Sequence, residues 1–408
     1  MTVLFKKLTS NYTLDELIVL GLALSIFVSI YFTIAAILMT LGYMIMQDRI
    51  RPLFISVRRA YWLLAFCASS LVVSMLYQNF TGMLIAFAMS VIFLIAMFVR
   101  TVMTRELFEK IIDLCIWASV YCFAVAIFQQ LLHVGEDYRA DSTFFNANYY
   151  ATIIEFAVLF CVYRLFGGGA SIRRKVFLSA VILMNIFGLY LCDCRSAFIV
   201  LGVAVPVMMI LMKKLKELFI LLCAGVAAVA ALYLIPDLFP RVDQLDGDFA
   251  IRLRIWKTAV KGILENPLFG QGGGTYANIY SKFNGHPAPH AHNLLLDPLL
   301  NFGIAGFALL LKYLKTNLTA ILRLNRVKQD QGRFHLAAAV VTCVAVHGMF
   351  DITVFGLQTG LLLMVFLGLA GVSEYAPEPY RVSAYQTLIA LREGQKASSL
   401  SFLNIKKP

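Results

Sequence analysis

Residues 286–306, HPAPHAHNLLLDPLLNFGIAG, place His286, His290 and His292 in front of an apolar run, in a chain with six histidines altogether. An imidazole that titrates near neutrality is the usual general base for drawing a proton from a hydroxyl. His292 stands closest to the apolar run. With Asn293 next and a span expected to begin at Leu294, a rigid helix would hold its ring at a membrane surface. The H-x3-H-x-H spacing is interrupted by prolines, and Asp297 is its one clear nearby carboxylate. That is not a familiar zinc pattern, so no metal is expected.

Cations supply the second chemistry. Arg195, in LYLCDCRSAFIVLG, is pinned between two apolar runs with Asp193 as its local counterion, where an unpaired guanidinium would be costly. Arg252 and Arg254, in DGDFAIRLRIWKTAV, are two apart and diverge on a helix, so one can face a cavity while the other faces water. Guanidinium forks match phosphate oxygens in pairs. Two or three at one membrane face would make a receptor for a diphosphate whose lipid tail lies in the bilayer. The blander readings are an interfacial helix with solvated cations and a bystander histidine. His347 and Asp351, four apart, could meet on one helix face as a structural pair or as support for the site. GQGGGT, residues 270–275, lacks the Lys of a Walker loop; its glycines suit an irregular turn or a close backbone approach.

The elements that must carry these residues are membrane helices. The 408 residues are 60% hydrophobic and 14% charged, with a mean hydropathy of +0.79, which excludes an ordinary soluble domain. Apolar runs predict spans near 60–77, 79–99, 111–133, 147–167, 175–192, 196–212, 217–236, 291–311, 335–354 and 357–374. The opening run, 17–47, is too long for a signal-peptide core. It makes one span or two, for a total of 11 or 12; two spans put both termini inside. The net charge of +12 would suit nucleic acid, but its placement follows topology. One side, including a loop from Lys312 to Arg333, holds 27 of the 35 Lys and Arg residues and is read as the cytoplasm.

The expected architecture is therefore an all-α polytopic membrane protein, with a single transmembrane domain at 1–375 and a basic cytoplasmic tail at 376–408. A structured extracytoplasmic loop at 236–290 should contain an amphipathic helix that buries Phe249, Ile255 or Trp256, Val260 and Ile263 and stops before Pro267. The eight cysteines lie almost entirely in apolar runs and suggest no disulfide framework.

Three stretches then carry a resemblance, in the right order: CRSAFIVLG, RLRIWKTAVKGILENPLFGQGGGTY, and HNLLLDPLLNFGIAG, which reads His-Asn-x9-Gly-x-x-Gly. FFNANYYAT, which follows Arg139, and HGMFDITV match more weakly. The chain resembles the O-antigen ligase and O-antigen polymerase superfamily of bacterial membrane glycosyltransferases. The resemblance implies a GT-C-like, metal-independent inverting enzyme without cofactors. Such an enzyme takes a glycan from undecaprenyl diphosphate at the outer face of the bacterial cytoplasmic membrane. It implies His292 as the base that activates the acceptor, with Arg195 and one of Arg252 or Arg254 on the donor diphosphate. Arg252 is preferred because it stands four residues before Trp256. Asn293, His347, Asp351 and Arg139 would support the site. A ligase would deliver the glycan to lipid A core, in lipopolysaccharide biosynthesis; a polymerase would extend lipid-linked repeat units. A lipid-linked glycan transporter is the rival from another class, but it predicts charges through the bundle core rather than clustered at one face.

Overall fold

The computed structural model describes residues 12–57, 60–134, 136, 138–234 and 245–373, and among these it is all-helical. The tail at 376–408, Lys6, Lys7, Arg241 and the start of the long loop lie outside them. The helices are α1 (Leu14–Val28), α2 (Ile30–Met46), α3 (Ile50–Ser56), α4 (Ala60–Leu76), α5 (Phe80–Val102), α6 (Arg105–Leu132), α7 (Ala147–Phe166), α8 (Ile172–Leu191), α9 (Arg195–Leu211), α10 (Leu215–Leu234), α11 (Leu245–Glu265), α12 (Thr275–Ile279), α13 (Leu296–Leu324), α14 (Gln331–His347) and α15 (Leu357–Leu367). Five of them, α5, α6, α7, α8 and α13, are long and apolar enough to cross a membrane. The chain is an integral membrane protein.

The opening run breaks into two helices at Ser29. Its backbone is fully extended, and its hydroxyl accepts from the Phe32 amide to cap α2. Thr33 secures the joint by donating to the carbonyls of Ser25 and Ser29. At the centre lies α7, in which every residue from Tyr150 to Tyr163 is buried. Against it pack α8, α9 and α14.

Three expectations change. The helix after the histidines begins at Leu296, so His292 sits in a turn before it and does not open it. That helix runs on to Leu324, which makes much of the expected loop from Lys312 helical. Lys312 is exposed on this helix, its ammonium 4.0 Å over the Trp62 ring. Finally, α14 ends at His347, leaving Asp351 in the connection beyond it.

In the long loop, α11 forms as expected but with a shifted face. Ile255, Thr258 and Ala259 are buried while Phe249 and Val260 are exposed. Ile255 and Ala259 join Tyr276, Ile279, Ala291 and Leu300 in a small core of their own, which fixes the loop to the start of α13. Gly262 permits this approach, because a Cβ there would lie 2.3 Å from Ile279 and 2.7 Å from Leu300.

Candidate active site

The site begins with a turn held from both sides. Asp297 accepts the Ala291 amide at 2.8 Å, and the Asn293 side chain accepts the amides of Leu295 and Leu296 at 3.0 and 3.1 Å, capping α13. Between these anchors His292 takes a φ of +47°, a left-handed conformation uncommon for any side chain but glycine. The Leu294 amide donates to the Gly348 carbonyl at 2.7 Å, tying this turn to the α14–α15 connection. A Cβ at Gly348 would sit 2.6 Å from Leu294, so only glycine lets the two segments meet.

That junction brings His292 to Asp351. His292 Nδ1 lies 2.9 Å from Asp351 Oδ1. The other carboxylate oxygen accepts from Asn148 Nδ2 at 2.8 Å, and Asn148 Oδ1 accepts from Arg139 Nη2 at 2.8 Å. Arg139 Nε donates in turn to the Cys192 carbonyl at 3.0 Å, anchoring the chain of contacts to the turn that precedes Arg195. Burial alone would raise the Asp351 carboxyl. The hydrogen bond and charge of His292, the charge of His290 and the Asn148 amide outweigh it and hold the group well below the usual carboxylate range. An ionised carboxylate can only accept, so a neutral His292 carries its proton on Nδ1. Nε2 is left with its lone pair and has no hydrogen-bond partner among the described residues.

A second pair lies deeper. His347 Nδ1 is 2.7 Å from Glu155 Oε1, and Cys343 donates to the other Glu155 oxygen at 3.2 Å, all three residues being buried. His347 and Asp351 therefore do not pair across one helix face. The helix ends between them, and each takes its own partner. Arg252, half-buried on α11, lies close enough for its charge to act on His347. Arg254 points elsewhere, with Nε and Nη2 both donating to the Asn284 carbonyl at 3.0 and 2.8 Å. Arg195 begins α9, and Cys194 just before it lies close enough to Glu155, the partner of His347, to feel its charge.

Of the three clustered histidines, His286 lies apart. His290 instead joins His292 and Asp351, with one ligand atom from each lying within 4.8 Å of the others. Burial and the neighbouring His292 push His290 down to about 4, against the opposing pull of Asp351. The sequence pointed to Asp297 as the nearby carboxylate, but Asp297 is occupied with Ala291 and Asn301. Sequence reasoning also missed Asn148 and Glu155. Glu155 did leave a signal, a lone carboxylate inside an apolar span.

The glycine segment is structural packing. Gly272 donates to Asn301 O at 2.8 Å, and Asn79 donates to the carbonyls of Gln271 and Gly273 at 3.1 and 3.0 Å. Gly303 breaks α13 with a φ of +61°. The break frees the amides of Ile304 and Ala305 to bond Pro267 and Leu268, both at 2.9 Å. A Cβ on Gly303 would lie 2.4 Å from the Leu268 backbone, which gives this glycine of the His-Asn-x9-Gly-x-x-Gly pattern a physical role.

One stretch of the chain, holding both arginine helices and the histidine turn, is similar to a known family. Residues 178–311 match the family model described as O-antigen ligase. The resemblance to the O-antigen ligase and polymerase superfamily thus holds, and the matched segment runs from within α8 through the first half of α13. No curated protein matches the chain. Among solved structures, a chain from "Structural coordination of polymerization and crosslinking by a peptidoglycan synthase complex" aligns at 14% identity with a TM-score of 0.42, over 76% of this chain and 96% of that one.

Proposed function

We propose that the chain is a metal-independent inverting glycosyltransferase. It moves a glycan from undecaprenyl diphosphate to a hydroxyl of lipid A core at the outer face of the bacterial cytoplasmic membrane, with both termini inside. The observation that carries this reading is the oriented imidazole. Asp351 fixes the His292 tautomer so that Nε2 presents a lone pair, and Asn148 and Arg139 fix Asp351. His292 removes the proton of the acceptor hydroxyl as its oxygen attacks the anomeric carbon. The bond to the diphosphate breaks on the opposite face, and the sugar inverts. Arg195 and Arg252 meet the negative charge that builds on the departing diphosphate. Arg254, engaged with Asn284 O, holds the loop in place and is not needed on the donor.

The test is reconstitution of the purified protein in membranes with an undecaprenyl-diphosphate glycan and lipid A core, the products being separated on a gel. One shifted lipid A band is the expected result. A ladder of lengthened lipid-linked glycans without that band would replace the ligase reading with a polymerase. No product with either acceptor would overturn glycan transfer.

A further inference from the structure

The turn that presents His292 also folds His290 back against it. The two rings lie 4.1 Å apart between centroids, tilted by 57°. His290 Nδ1 is 4.0 Å and His292 Nδ1 2.9 Å from the same oxygen, Asp351 Oδ1. Two imidazole nitrogens and one carboxylate oxygen are a ligand set suited to zinc, and a tetrahedral ion with bonds of roughly 2.0–2.1 Å holds its ligands about 3.3 Å apart. The observed separations bracket that spacing, so a small inward rotation of His290 and a small outward one of Asp351 would seat the ion. Both rings are partly exposed, at 22% and 25%, which leaves an entry path and an open fourth position. Asn148, donating to the opposite oxygen of Asp351, would orient the carboxylate ligand without competing for Oδ1. His290 has little else to hold it, its Nδ1 receiving only the His292 amide at 3.3 Å.

We propose that His290, His292 and Asp351 form an inhibitory zinc site that switches the base off. This inference rests on the reading of His292 as the base, and the inhibition follows from proton placement. In the metal-free turn His292 carries its proton on Nδ1, facing Asp351, and its basic lone pair is on Nε2. Zinc takes the Nδ1 lone pair, so the neutral ring must keep its single proton on Nε2. With Nε2 protonated the ring can no longer accept the acceptor's proton, and Asp351 is drawn onto the ion. Transfer without metal and inhibition by metal are then two states of one tautomer.

The experiment uses the purified full-length protein and zinc alone, titrated against a chromophoric chelator, with glycan transfer assayed in parallel over the same zinc concentrations. The wild type should bind one zinc per chain and lose transfer as the site fills, with activity restored by EDTA. Measured against its own zinc-free rate, whatever that rate is, His290→Ala should show a sensitivity to inhibition, and a zinc affinity, lower by about tenfold or more than the wild type. Unchanged zinc affinity in His290→Ala would overturn the site. Full zinc occupancy with undiminished transfer would overturn the switch. If the protein transfers no glycan under any condition, the functional reading fails, while the binding comparison between wild type and His290→Ala still decides whether the site exists.

Discussion

The two ends of the helix bundle use arginine differently. At the end that carries Asp330, carboxylates answer the arginines directly. Arg164 bonds Asp113 at 2.9 Å, Arg174 bonds Asp113 at 2.7 Å, Arg333 bridges Glu109 and Asp330 at 2.6 Å each, and Arg105 grips Asp330 at 2.8 Å. These contacts tie α6, α7, α8 and α14 to the turn between α13 and α14. At the end that carries His292, Arg139 and Arg254 meet neutral oxygens of Asn148, Cys192 and Asn284, and Arg252 has no carboxylate partner among the described residues. Arginines saturated by carboxylates stabilise the fold and bind nothing further. Arginines that face neutral oxygens keep their charge available to an anionic ligand.

The comparison is sharpest at the two buried aspartates, which should fail in different assays. Asp351→Asn replaces a carboxylate that can only accept with an amide whose NH2 can donate to His292 Nδ1 and favour the other tautomer, and glycan transfer should fall on the order of 10³-fold or more with little loss of folded protein. A residual rate above about a tenth of wild type would separate Asp351 from the chemistry. Next in size is the contrast between neighbouring arginines on α11. Arg252→Ala should cost on the order of 10² in turnover. Arg254→Ala should leave turnover within a few-fold of wild type, because it loses only contacts to an exposed carbonyl. Equal losses in the two variants would mean that the helix, rather than one guanidinium, is what matters.

The smallest effect on transfer belongs to Asp330→Asn, which should change stability instead. Asp330 is buried between Arg105 and Arg333, so removing its charge leaves Arg105 without its carboxylate and Arg333 with Glu109 alone, at a cost of about 1–2 kcal/mol in unfolding. Burial would raise its carboxyl, but the hydrogen bonds and charges of the two arginines prevail and hold it below the usual value. Its stabilisation is therefore complete above the unfolded carboxylate pKa of about 3.9 and is lost as pH falls through the lowered folded value. Thermal melts at descending pH should show the wild-type curve approaching that of Asp330→Asn. Parallel curves at every pH would detach the network from stability.

Much of this was legible in the sequence, because the strongest signals are local. Apolar runs mark the helices. Arg195 at the head of a run and the His-Asn-x9-Gly-x-x-Gly spacing mark the positions at which chain geometry is special. The Gly303 break shows why: the helix must open there to accept the strand of backbone at Pro267 and Leu268. What the sequence could not supply were partners distant in the chain. Asp351 lies 59 residues from His292, and Asn148 lies 203 residues from Asp351. Neither pairing leaves a periodic trace. That His347 and Asp351 could meet on one helix face rested on helix spacing persisting past His347, where α14 in fact ends. The shifted face of α11 has a similar origin. Its burial is set by a local core with α12 and the start of α13, and residues exposed outside that core are as apolar as those within it.

The central claim is that His292 draws the proton from the acceptor. The direct measurement is the rate of glycan transfer by His292→Ala in reconstituted membranes supplied with undecaprenyl-diphosphate glycan and lipid A core, without added metal or nucleotide. The melting temperature is recorded beside it. The account predicts a loss of about 10³-fold at an unchanged melting temperature. Near-normal transfer by a folded His292→Ala protein would contradict it.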